Sequence, residues 1–108
     1  MAATDLVALM RLIGERYQFT PEHYPELVQL VGEQRTAFAV KHSALHMMKS
    51  VGAIAAQGEA ADHGDLMDIG ALRIAIAKML VNTLKLAEVL EIEPWVLGEL
   101  VPEVMKSK

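Results

Sequence analysis

Leu72, Ile76, Met79, Leu80, Leu84 and Ala87 recur at three- and four-residue spacing, and nowhere does the chain sustain an alternation of two. Such a period lays one apolar stripe along an α-helix and cannot keep one face of a strand buried. The same spacing through Leu6, Leu9, Met10, Ile13 and Tyr17 predicts a first short helix, with Thr4 placed to cap it. The segment Gln18-Phe19-Thr20-Pro21-Glu22-His23-Tyr24-Pro25-Glu26 interrupts it. Within that segment Thr20 is a cap with proline at the first helical position, and Pro25 offers a second start of the same kind. From there to about Gln57 the pattern is helical, with Gly32 the expected bend or boundary.

Gln57 to Gly70 holds three glycines and four acids and reads as the main loop. Asp65 or Asp68 is placed to cap the next helix, which is expected to run to about Leu90. Pro94 ends that pattern, because the residue before a proline avoids the α region, and opens a short tail helix through Trp95, Leu97, Leu100 and Val101. The last four residues, Met105 to Lys108, are expected to fray. There are no internal repeats. Long helices with short connections predict one all-α domain over 1–108, an antiparallel four-helix bundle.

Hydrophobic residues make up 53% of the 108, above the globular norm of about 45–50%. The surplus predicts apolar surface covered by a second subunit, in a homodimer or higher homo-oligomer. Seven Met beside one Trp, two Tyr and two Phe give an adaptable aliphatic core. Trp95 reads as a core or interface anchor. The absence of cysteine excludes disulfides and thiolate metal sites. The N-terminus lacks the basic region of a signal peptide. Lys41, Lys49, Arg73, Lys78 and Lys85 interrupt each run that approaches membrane length, so a cytoplasmic protein without a membrane partner is expected. A net charge of −4 argues against nucleic acid, and Arg11, Arg16 and Arg35 lack interleaved aromatics for base stacking.

Two segments resemble the all-α MazG-like nucleotide pyrophosphohydrolases. Lys49-Ser50-Val51-Gly52-Ala53-Ile54-Ala55-Ala56 fits the frame of the family's first acidic helix, including its central Val-Gly. Ile76 to Ile92, IAKMLVNTLKLAEVLEI, fits the apolar frame of the next helix. The resemblance covers about half the chain and implies a MazG-like bundle completed by dimerisation. The family's glutamates and aspartate hold Mg²⁺ against a triphosphate. Their counterparts here include Lys49, Ser50, Ala53, Ala75 and Lys78, none of which is a carboxylate. Hard cations need oxygen ligands, so the resemblance implies a related scaffold without the usual metal site.

At about 100° per residue, His42, His46, Lys49 and Ala53 share one stripe of the long helix, and Ala75, Lys78, Asn82 and Lys85 share one of the next. If the bundle is MazG-like, the stripes face one another. The candidate binding residues are then His42, His46, Lys49, Lys78, Asn82 and Lys85. This set of two imidazoles, three ammoniums and an amide suits an anionic, phosphorylated ligand or nucleotide, held without a cofactor. Against that stands an ordinary polar helix face, with the lysines paired to Glu59, Asp62, Asp65 or Glu88 or reaching solvent.

His42 and His46 stand one turn apart, a spacing that can chelate a transition metal, although Ser43 replaces the glutamate of a zincin helix. Asp62 and His63 are the candidates to complete such a site. No nucleophile or oxyanion donor accompanies Asp62 and His63, so no catalytic residue is assigned. Three functions remain open: a noncatalytic or altered binder of a phosphorylated anion, a metal-dependent phosphoanhydride hydrolase using His42, His46 and loop acids, and a protein-interaction module.

Overall fold

The computed structural model describes residues 5–106. Four α-helices follow one another: α1 Leu6–Arg16, α2 Glu33–Asp62, α3 Ile69–Val89 and α4 Pro94–Lys106, with a 3-10 turn at Pro25–Gln29 between the first two. No strand occurs among the described residues. The fold is an all-α helical bundle, and no described helix is long and apolar enough to cross a membrane.

Local chemistry sets the helix boundaries. Asp5 caps α1, its Oδ1 accepting from the Ala8 N–H at 2.8 Å; Thr4, the expected cap, lies outside the described residues. Thr20 and Pro21 open a single turn instead of a helix. Pro25 likewise starts the short 3-10 turn only. The boundary expected at Gly32 is real: its φ of +53° lies where glycine alone carries no Cβ penalty, and α2 begins at the next residue.

The expected loop from Gln57 to Gly70 is mostly helix at its front. α2 continues through Gly58 to Asp62 because Glu59, Ala60 and Ala61 favour a helix by more than one glycine opposes it. The stop is Gly64, at φ +89°, whose N–H reaches Ala61 O at 3.0 Å while the Asp65 N–H reaches Ala60 O at 3.0 Å. Of the two candidate caps for α3, Asp68 is the one used, accepting from the Ala71 N–H at 3.0 Å. Its own N–H donates to Gln57 Oε1 at 2.7 Å, which closes the α2–α3 hairpin. The tail stays helical through Pro102 to Lys106, past the expected fraying point; Ser107 and Lys108 lie outside the described residues.

The helices associate in series. α2 packs along α3, α3 against α1, and α1 against α4. Small buried residues, Ala39, Ser43, Ser50 and Ala75, line the α2–α3 hairpin. The apolar centre lies beside it, where Met10 and Ile13 of α1 meet Leu84 and Ala87 of α3. Gly14 faces Glu88 of α3 there, and a Cβ in its place would stand 2.9 Å from Glu88 Oε2, a flexible tip that would have to shift. The expected antiparallel four-helix bundle is therefore antiparallel in its α2–α3 half and open elsewhere. The radius of gyration is 16.6 Å, where a compact domain of this length has about 13 Å.

Candidate functional site

A groove of about 830 Å³ runs along one face of the α2–α3 hairpin. α2 supplies His42, His46 and Lys49 to it, and α3 supplies Lys78, Asn82 and Lys85. The periodicity explains the convergence: residues three, four and seven apart share a helix face, and a six-residue connection turns the two faces side by side. All six candidate binding residues thus line one groove. Ala53 and Ala75, from the same two stripes, line it too.

The groove has two characters. Toward the start of α2 it is aromatic and imidazole-rich; toward the start of α3 it is aliphatic, with Ala53, Ala71 and Ile74. Tyr17 and Tyr24 close the aromatic end, and the sequence reading did not find them. The available signal was that Phe19 and Tyr24, two of the five aromatic residues, fall within the stretch read only as a helix breaker, with Tyr17 directly before it. Phe19 stacks on Tyr24 with ring centroids 5.2 Å apart, and Tyr24 meets the His42 ring edge-on at 4.9 Å. The break between α1 and α2 is therefore also a wall.

Lys85 lies at the foot of this wall. It is only 6% exposed, with Nζ 4.5 Å from the centre of the Phe19 ring and 5.3 Å from that of Tyr17. Burial holds its pKa below the ordinary lysine value, since the ammonium loses hydration that two ring faces only partly replace. His42 is likewise held below the ordinary histidine value, by burial first and then by His46 and Lys85, with Glu26 acting the other way. Its Nε2 lies 3.4 Å from the Tyr24 hydroxyl, a long contact whose donor is set by the imidazole tautomer. The His42 and His46 ring centroids are 4.5 Å apart. Asn82 donates from Nδ2 to its own helix at Lys78 O, 2.9 Å, leaving its Oδ1 and a second amide proton for other partners.

The lysines do not form the ion pairs considered for them. Among the described residues the one ion pair is Lys106 with Glu103, at 3.5 Å. Glu88 is turned against Gly14 on the α1 side. Asp62 lies 13 residues beyond Lys49 on the same straight element, roughly 20 Å along the axis. Lys49, Lys78 and Lys85 thus share one groove without a carboxylate at ion-pairing distance.

The alternative metal set of His42, His46, Asp62 and His63 is not assembled. α2 is continuous from Glu33 to Asp62, so Asp62 stands about 24 Å beyond His46 along the helix axis. No group of three or more His, Cys, Asp or Glu able to hold a metal ion occurs among the described residues. The pair alone remains on the groove. Comparison with family models, with curated proteins and with solved structures finds no match, so the MazG-like resemblance draws no support beyond the two helical segments that suggested it.

Proposed function

We propose that the α2–α3 groove binds a phosphorylated or similarly anionic small molecule directly, without a bridging metal, in a protein that does not hydrolyse it. One observation carries this reading: three lysines line a single groove with no carboxylate to neutralise them. Like charges held together cost free energy, and an arriving anion relieves that cost while forming charge-assisted hydrogen bonds. Lys49 and Lys78 are exposed and supply mobile donors at the rim, while Lys85 is fixed below them. Asn82 adds a neutral donor and acceptor, and His46 an exposed imidazole. The aromatic end suits a ring carried by the ligand, as in a nucleotide, and the groove volume falls within the range of small-molecule sites.

A thermal-shift panel tests it, using inorganic phosphate and nucleoside triphosphates with chelator, with Mn²⁺ and with Zn²⁺. A ligand that binds only the folded state raises the melting temperature. The expected result is a nucleotide shift that survives chelator and is lost in Lys49→Ala and Lys78→Ala. A shift that requires metal and is lost in His46→Ala would replace this reading with the metal-dependent hydrolase. Indifference to every ligand would leave the interaction module, a reading favoured by the half-exposed Val51, Ile76 and Leu80.

A further inference from the structure

The α2–α3 hairpin has two open faces, and only one of them is the groove. At 100° per residue, Val51 lies about 180° around α2 from His42, and Ile76 about 180° around α3 from Lys85. Leu80 lies about 160° from both Lys78 and Asn82. The Thr83 hydroxyl, 3.3 Å from Met47 Sδ, fixes the antiparallel register and sets Val51 alongside Leu80. Val51, Ile69, Ile76 and Leu80 are each between 49% and 58% exposed. On this side Arg73 is the one charged residue of α3, and α2 contributes only Lys41, at the edge about 80° around from Val51, between Thr36 and Gln57.

The surface area shows that the chain as a whole exposes more than a self-contained monomer does. The chain exposes 8271 Å², where a folded monomer of 11.8 kDa exposes about 5,900 Å². The excess of roughly 2,400 Å² matches what one subunit gives to an obligate homodimer, far above a crystal-sized contact. A domain needs two packed layers around its core, and a hairpin with α1 and α4 attached in series supplies one.

We propose that a second copy of this chain packs across the apolar back of the α2–α3 hairpin, so that two hairpins form a two-fold four-helix bundle with the grooves facing outward. Charge selects this face over the other. Two copies joined groove to groove would set three lysines against three lysines with no carboxylate between them. Joined back to back, they bury aliphatic side chains and alanines. The same patch must then meet itself, as a two-fold interface requires, and a patch that is aliphatic at its centre, with Arg73 outside that centre, does so with little conflict. The inference stands whether or not the groove binds an anion.

The chain has no cysteine, so single thiols can report proximity without background. Val51→Cys and Leu80→Cys, treated with a short bis-maleimide, should each give a covalent pair on a denaturing gel, while Glu15→Cys on exposed α1 should not. Sedimentation of the unaltered chain should give twice 11.8 kDa, and Leu80→Glu should weaken association roughly 30-fold or more. A chain that sediments as a monomer at high micromolar concentration would overturn the proposal. So would a dimer whose Val51 and Leu80 thiols stay unlinked while Lys49→Cys cross-links, because the copies would then meet through the groove.

Discussion

Lys85 is the residue at which stability and the proposed function oppose each other. Burial lowers its pKa, so the folded state holds the ammonium less well than water does. Replacing it with a methionine of similar shape removes a buried charge and keeps the apolar stem. Lys85→Met is therefore expected to stabilise the fold by about 1 kcal/mol and to abolish the phosphate-induced thermal shift. A variant that lost stability instead would make the ring contacts, not the ligand, the reason for the lysine. His42 gives a pH test with a definite sign. Its folded pKa lies below the unfolded value of 6.5, so the folded state binds fewer protons between the two values. The corresponding stability is fully present above about pH 6.5 and is lost as pH falls through the folded pKa. Neighbouring His46 and Lys85 work in the same direction, and Glu26 opposes them. Chemical denaturation between about pH 7 and pH 5 should show falling stability with acid, and His42→Gln should flatten that slope.

At the scale of elements, the joint between α3 and α4 contains a strained residue. Glu91 has φ +57°, the left-handed region, where the chain turns so that the Ile92 N–H can reach Ala87 O at 2.9 Å. A side chain there costs roughly 1–2 kcal/mol, part of which a glycine returns through its freer unfolded state. Glu91→Gly should stabilise the protein by about 0.5–1 kcal/mol in denaturant unfolding, and Glu91→Ala should not. The sequence could not reveal this position, because it marked the joint only through Pro94. It did reveal the helices, since their apolar period survives every substitution of detail, and it placed all six groove residues on the two stripes that meet. It failed where a boundary depends on competition between neighbours. Gly58 and Gly64 look alike in sequence, yet only Gly64 sits where the chain must adopt positive φ. The aromatic wall was hidden for a related reason: period-based reading has nothing to say about a segment with no period, and contacts such as Phe19 over Lys85 join residues far apart in sequence.

At the scale of the molecule, the proposed pairing of two open series of helices would make folding and association one process. Met10, Ile13, Leu84 and Ala87 form a small apolar centre, and aliphatic side chains on the back of the hairpin remain in water in a single chain. If a second copy covers them, unfolding converts one dimer into two chains, and mass action makes the melting temperature depend on protein concentration. A tenfold increase in concentration then adds about 1.4 kcal/mol per dimer, visible as a steady rise in melting temperature across a dilution series. A self-contained monomer would melt at one temperature throughout. In the proposed dimer the two grooves would face away from each other and share no residue. Phosphate or nucleotide should accordingly titrate to one site per chain with a hyperbolic curve. Ligand and concentration should also raise the melting temperature independently, so that Lys78→Ala removes the first effect and leaves the second. Loss of both effects in Lys78→Ala would mean that the groove itself takes part in joining the chains.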